Sequence, residues 1–173
     1  ATLLALDDGD TLALSIEGPT LDDYYPVLFP QAGERIAAAA RFLHGKGYRH
    51  LVLLSHSMGA WMSNVHLLEN GHAAFAAWVV LGLTGRFWGA SLISIPALGI
   101  EWFPGRIRLP ILDVYGEHDL EPTLNGVRLR AAALAHIPGS QQTMIAGADH
   151  HYTGKEQELA QAIQQFIART IGK

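Results

Sequence analysis

Short uninterrupted apolar runs alternate along this chain with stretches whose apolar residues recur every three or four positions. Such runs are typical of strands covered on both faces of a parallel sheet, and the recurrence is typical of amphipathic helices. The apolar runs predict strands at 50–54, 76–83, 109–116 and 141–147. The recurring positions predict helices at about 33–44, 58–69, 123–136 and 155–170. This alternation favours an α/β fold with a mostly parallel sheet and helices on both faces.

Three segments depart from this alternation. Residues 2–16 hold two β-rich runs around Asp7-Asp8-Gly9-Asp10 and predict a hairpin, or one strand followed by a loop. Residues 17–31 carry three prolines and predict a loop. Residues 84–108, rich in Gly, Pro and large aromatics, follow a strand at the sheet edge where ligands bind. That last segment is either an ordinary crossover or a small cap or pocket wall.

The composition favours one layered domain. With 173 residues, of which 49% are hydrophobic, the chain can bury one sizeable core, so we expect residues 1–173 to form a single domain. Only 16% of the residues are charged, and the mean hydropathy is +0.16. Both values agree with elements that are buried on two faces.

Charge and residue usage exclude several classes of function. The net charge of −4 comes from scattered residues without a basic block, so we expect no nucleic-acid partner. The absence of cysteine excludes disulfides and a thiol nucleophile. The longest apolar run, 73–83, is far shorter than the roughly 20 residues of a membrane helix. We expect a soluble chain, cytoplasmic or periplasmic; whether a signal, tag or longer region preceded Ala1 stays open, as does the oligomeric state.

The stretch Ser55-His56-Ser57-Met58-Gly59 lies between a predicted strand and a predicted helix. A serine in such a turn is held at the top of the sheet, and the amide after it can stabilise negative charge at the helix N-terminus. The pattern is G-x-S-x-G with Ser55 in place of the first glycine. We interpret Ser57 as a nucleophile and the Met58 N–H as an oxyanion donor; the alternative is a serine that caps the helix.

A nucleophilic serine needs a base, and the base needs an orienting acid. Candidates for both follow later predicted strands, at the same edge of the sheet. Asp119 competes for the role of acid with Glu117, Glu121 and Asp113. His150 competes for the role of base with His151.

The blocks "GYRHLVLLSHSMGA", "LPILDVYGEHDL" and "GADHHY" resemble the nucleophile elbow, acid loop and histidine loop of the α/β-hydrolase superfamily. Within it, the chain is most similar to small bacterial esterase-like members, including a family of unassigned function with a similar "DDYYP…FP…RI" lead-in. The resemblance implies acyl hydrolysis through a covalent acyl-enzyme. It favours Asp119 as the acid and His150 as the base, and it leaves Asp149 as a loop-structuring carboxylate.

The region before Ser57 is shorter than this resemblance implies. Only 56 residues precede Ser57, and no His-Gly loop after an earlier strand occurs among them, because His44-Gly45 lies at the end of a predicted helix. We therefore expect a fold that is reduced at its N-terminus. The second oxyanion donor would then come from another loop, for example near Gly18 or Tyr24-Tyr25.

The expected substrate is a carboxylic ester with a small to medium acyl group. The evidence for an apolar pocket is a set of aromatics that could equally be core: Trp61, Phe87, Trp88, Trp102 and Phe103. Two alternatives stay open, a non-catalytic binding domain of the same fold and a thioesterase or acyltransferase with the same triad. No cofactor is expected.

The remaining histidines give no metal motif. The donors His118, Asp119, His150 and His151 lack the spacing of a metal site, so we expect none. We interpret His56 as a packed or hydrogen-bonded neighbour of Ser57. Other histidines are interpreted as solvated or helix-terminal: His44, His50, His66, His72 and His136.

Overall fold

The computed structural model describes residues 21–83 and 107–172, with side chains from residue 28 onward. Within these residues, four parallel strands form one sheet in the order β1-β2-β3-β4. The strands are β1 (Val52–His56), β2 (Ala77–Leu81), β3 (Ile111–His118) and β4 (Gln141–Asp149). The helices are α1 (Leu21–Gly45), α2 (Met58–Asn70), α3 (Glu121–Asn125), α4 (Val127–Leu134) and α5 (Glu156–Ile171). The predicted α/β class with a parallel sheet is confirmed.

The parallel register brings the residues that follow the four strands to one edge of the sheet. Strand β1 pairs with β2 from Val52 opposite Ala77 to His56 opposite Leu81. Ser57, Gly82, Asp119 and His150 each come directly after one strand. Side chains far apart in sequence therefore meet at the carboxyl edge, where α/β sheets bind ligands.

Two apolar clusters cover the two faces of the sheet. Trp78 and Val80 face the cluster that includes residues of α1, α2 and α4. Ala77, Val79 and Leu81 face the other cluster, which includes Phe166 of α5. Because both faces are covered, the whole of β2 is apolar rather than alternating.

Helix α1 begins at Leu21, so the prediction of a loop over 17–31 is wrong for residues 21–31. Pro26 and Pro30 lack the N–H groups that would bond the preceding turn. They are four residues apart, which places both missing donors on one side of the helix. Phe29 and Ala32 are buried against the rest of the protein, and this packing outweighs the local preference of proline.

The helix predicted over 123–136 is divided into α3 and α4 at Gly126. Strands β3 and β4 each extend two residues beyond their predicted ends, to His118 and Asp149. The hairpin or strand predicted at 2–16 lies outside the described residues. So do all but the last two residues of 84–108, the segment interpreted as a crossover, a small cap or a pocket wall.

His66 lies inside the contact between α2 and α1, where it is 3% exposed. A side chain placed at Gly33 of α1 would come within 3.8 Å of His66 Nδ1. The interpretation of this histidine as solvated or helix-terminal is therefore wrong. Residues 63–67 of α2 are all buried, so the helix is covered around its whole circumference at this point.

Burial lowers the pKa of His66 below its ordinary value of 6.5, because an imidazolium is poorly solvated between two helices. The backbone at Gly33 and the charge of Glu69 oppose this effect without cancelling it. Below pH 6.5 the unfolded chain binds a proton that the folded chain excludes, so stability is present above that pH and falls as the pH drops through it.

We expect the unfolding free energy, measured in urea, to be lower at pH 5.5 than at pH 7.5 (about one pH unit on either side of the ordinary histidine pKa). In His66→Gln this difference should shrink. His50→Gln, at an exposed position, controls for the loss of a histidine. An undiminished pH difference in His66→Gln would contradict the assignment.

In the part of the chain that the structure describes, no helix combines the length and the hydropathy required to cross a bilayer.

Candidate active site

Ser57 sits in a strained turn between β1 and α2. Its φ is 53° and its ψ is −119°, a conformation that costs a non-glycine residue about 1–3 kcal/mol. The turn is held by the Ser57 N–H, which donates to the Leu81 carbonyl at 2.9 Å. This geometry projects the Ser57 hydroxyl from the carboxyl edge of the sheet, at the N-terminus of a helix.

Ser55 occupies the position where the elbow pattern has its first glycine. Its side chain is buried, and its Oγ accepts a hydrogen bond from Trp78 Nε1 at 2.8 Å. The hydroxyl thus has a partner on the neighbouring strand. A small polar residue is accommodated there without an unsatisfied hydroxyl.

Asp119 follows β3 and is 6% exposed. Its Oδ2 accepts from the Gly116 N–H at 3.1 Å, and its Oδ1 accepts from the Leu120 N–H at 2.8 Å. Burial alone would raise the pKa of Asp119, but hydrogen bonds from His150 and these two amides outweigh it. The pKa therefore lies below its ordinary value of 3.8, and the carboxylate is charged at neutral pH.

The competing acids have other partners. Asp113 lies inside β3, where its Oδ2 accepts from Arg130 Nε at 2.8 Å and from Gln142 Nε2 at 2.7 Å. Glu117 is exposed and accepts from the Gly147 N–H at 2.7 Å. Glu121 is exposed on α3. Among these carboxylates, Asp119 is the one that is hydrogen-bonded to a histidine.

His150 joins Asp119 to Ser57. Its Nδ1 is 2.6 Å from Asp119 Oδ1, and its Nε2 is 2.9 Å from Ser57 Oγ. An ionised carboxylate only accepts hydrogen bonds, so Nδ1 carries the proton. In the neutral ring Nε2 is then free to accept from the serine hydroxyl. The three side chains form one directional chain of hydrogen bonds, and His151 next to them is exposed.

The loop that carries His150 is fixed on both sides. Asp149 Oδ1 accepts from the His151 and Thr153 amides, each at 2.9 Å, so its interpretation as a loop-structuring carboxylate is confirmed. Tyr152 adopts a left-handed φ of 59°. Its hydroxyl donates to the Val114 carbonyl at 2.9 Å, and burial raises its pKa.

Gly82, directly after β2, is a site residue that the sequence reasoning missed. It has a left-handed φ of 59°, and a Cβ built there would lie 2.8 Å from His150 Cε1 and 2.9 Å from His150 Nδ1. Its N–H donates to the Val114 carbonyl at 2.9 Å. The sequence shows only a glycine near the end of the strand predicted at 76–83, which does not reveal its neighbour across the edge.

The predicted oxyanion and pocket residues have different surroundings. Met58 is the first residue of α2, where the helix leaves the N–H without an intrahelical acceptor. Trp61 is 4% exposed within the main apolar cluster, which leaves little of its surface for a substrate. Tyr24 and Tyr25 fall in α1 rather than in a loop. The remaining predicted positions lie outside the described residues: Gly18, Phe87, Trp88, Trp102 and Phe103.

The four donors of the alternative metal site do not converge. His150 and Asp119 bond each other, while His118 and His151 are both exposed. Within residues 21–83 and 107–172, no three His, Asp or Glu side chains are grouped so that they could hold a metal ion.

Comparison with known proteins identifies the fold. No family model matches the sequence, and no curated protein matches it. Solved structures do. A predicted CIB-like hydrolase from Thermoplasma acidophilum aligns with a TM-score of 0.58 and 21% identity, over 82% of this chain and 60% of its own. The monoacylglycerol lipase of Paleococcus ferrophilus aligns with a TM-score of 0.62 and 12% identity, over 81% of this chain and 75% of its own length.

A third structure, an α/β serine hydrolase without a lid from Xanthomonas campestris, aligns at a TM-score of 0.59 and 15% identity. The alignment covers 79% of this chain but only 56% of the Xanthomonas protein, so the chain spans little more than half of that protein's length. The parallel sheet and its flanking helices agree with the fold of these neighbours. The chain has the α/β-hydrolase fold.

Proposed function

We propose that the protein is a serine hydrolase that cleaves carboxylic esters of small to medium acyl groups through Ser57, His150 and Asp119. The observation that carries the proposal is the chain of hydrogen bonds from Asp119 through His150 to Ser57, at 2.6 Å and 2.9 Å. The strained φ of Ser57 supports the same reading, because such strain is concentrated at functional turns.

The first half of the reaction acylates the enzyme. Ser57 Oγ attacks the acyl carbon while His150 Nε2 takes the hydroxyl proton, and the carbonyl oxygen becomes an oxyanion. The charged Asp119 stabilises the imidazolium that forms. His150 then gives its proton to the alkoxide of the leaving group, so an alcohol departs and the acyl–Ser57 ester remains.

The second half uses water in place of the serine. His150 takes a proton from water, the resulting hydroxide attacks the acyl carbon, and Ser57 Oγ leaves with the proton that His150 returns. The Met58 N–H, at the N-terminus of α2, would donate to the oxyanion in both halves. A donor of this kind is worth roughly 3 kcal/mol of barrier.

A fluorophosphonate probe tests the proposal directly, because it phosphonylates only an activated serine. We expect one equivalent of label on the wild-type protein, located on Ser57 by mass spectrometry. Ser57→Ala should take up none. Ser63→Ala, which removes a buried hydroxyl on α2, is the matched control and should label like wild type. An unlabelled wild type would contradict the proposal and favour the non-catalytic binding domain.

Hydrolysis of p-nitrophenyl esters from acetate to octanoate then defines the acyl preference. The same assay with acyl thioesters, and with an added alcohol acceptor, separates the ester hydrolase from the thioesterase or acyltransferase. All three would label on Ser57, so only relative kcat/KM values distinguish them.

A further inference from the structure

His56, the last residue of β1, reaches across the carboxyl edge to the loop that carries the base. Its Nε2 lies 2.8 Å from the backbone carbonyl oxygen of His150. A carbonyl oxygen can only accept, so His56 Nε2 must carry the proton. The residue before Ser57 is therefore hydrogen-bonded to the main chain of His150.

This contact is a second link between the turn that carries Ser57 and the loop that carries His150. One link is the hydrogen bond between His150 Nε2 and Ser57 Oγ, which must break and reform as the proton moves. The His56 bond joins the same two loops through groups that exchange no proton in the reaction. It therefore persists while the first link is interrupted.

The ring of His56 also packs against the ring of His150. Their centroids are 4.8 Å apart, at an interplanar angle of 40°. The centroids of His151 and Tyr152 lie 5.8 Å and 6.2 Å from that of His56. His56 thus touches the base on its ring and on its main chain.

The surroundings of His56 favour its neutral form. Burial lowers its pKa, and the nearby rings of His150 and His151 lower it further. The bond to the His150 carbonyl and the charge of Asp119 act in the opposite direction and do not reverse the shift. A neutral ring places no positive charge beside the imidazolium of His150.

We propose that His56 is a positioning residue whose Nε2–H holds the His150 loop at the distance from Ser57 that proton transfer requires. The proposal rests on the function proposed above. It predicts an effect on kcat rather than on KM, because His56 acts on the alignment of the base.

The test compares two substitutions at this position in p-nitrophenyl ester hydrolysis. Glutamine offers an amide N–H at nearly the position of Nε2, and leucine offers none. We expect His56→Leu to lower kcat roughly 10- to 100-fold, with KM within about threefold of wild type. His56→Gln should restore kcat to within about threefold. His50→Gln, an exposed histidine just before the same strand, is the control and should leave both constants unchanged.

A wild-type kcat in His56→Leu, or an equal loss in His56→Gln, would overturn the proposal. If His56→Leu does not fold, His56→Asn replaces it, since its shorter amide cannot span the gap that glutamine spans. A wild type that takes up no fluorophosphonate would instead refute the hydrolase function. In that case ¹⁵N NMR of His56 still decides the proposal, because a proton on Nδ1 rather than Nε2 at neutral pH would contradict it.

Discussion

Replacing Asp119 by asparagine should lower kcat for ester hydrolysis by about 10⁴-fold, with little change in KM. The loss comes from the tautomer of the base. At present Asp119 Oδ1 accepts the proton of His150 Nδ1 and so leaves Nε2 unprotonated toward Ser57. An amide nitrogen at that position would donate to Nδ1 and move the proton to Nε2, where it blocks general-base catalysis.

The other orientation keeps an oxygen toward His150 Nδ1, but it carries a different cost. Both carboxylate oxygens accept backbone N–H groups, Oδ2 from Gly116 and Oδ1 from Leu120. Either orientation of an asparagine therefore points its NH₂ at an N–H donor, and a buried donor left unsatisfied costs about 1–3 kcal/mol. We expect a lower melting temperature together with the loss of turnover.

Glu117→Gln is the matched control, because it makes the same change of carboxylate to amide two residues away on an exposed side chain. It should keep kcat within about threefold of wild type. Steady-state kinetics and thermal melts of the three proteins provide the measurement. If Asp119→Asn retained more than about a tenth of wild-type kcat, the role of Asp119 as orienting acid would be wrong.

Replacing Gly82 by alanine should lower kcat/KM at least about 100-fold. The new Cβ would lie 2.8 Å from His150 Cε1 and 2.9 Å from Nδ1, closer than carbon contacts allow. The Gly82 N–H is bonded to the Val114 carbonyl, so the backbone cannot retreat without losing that bond. His150 must therefore move, and it cannot keep its bonds to both Asp119 and Ser57.

The same substitution also strains the backbone, and the two effects need separate controls. Gly82 has a φ of 59°, a region that costs alanine roughly 1–2 kcal/mol. Gly154 has a φ of 70° but nothing within 4 Å of its Cβ position. Gly154→Ala should therefore lose stability to a similar degree and keep its turnover. Equal kcat/KM values for the two variants would show that contact with His150 is not the cause.

The elements were predictable where the pattern of apolar residues was strong. The run at 76–83 identified β2 because both faces of that strand are buried, so no alternation could mislead the assignment. The start of α1 was missed because Pro26 argues locally against a helix, while the burial of Phe29 that stabilises it depends on distant residues. The break at Gly126 was missed because it lies inside a periodic stretch that predicts one helix.

The candidate site was predictable as far as each residue could be placed after a strand. The order of strands puts Ser57, Asp119 and His150 at one edge regardless of packing detail. The hydrogen-bond partners of Asp113 could not be predicted from the sequence, because Arg130 and Gln142 belong to later elements. The burial of His66 was hidden for the same reason, because the helix that covers it is a separate segment.

By itself, the sequence determined that this chain forms a parallel α/β sheet with a serine at a strand-to-helix turn, because local periodicity and turn chemistry act over a few neighbouring residues. The tertiary structure alone decided which carboxylate and which histidine lie within hydrogen-bonding distance of each other, and that Gly82 and His56 contact the same imidazole. Those distances join residues up to 94 positions apart. They follow from how the strands are packed side by side, which no local pattern specifies.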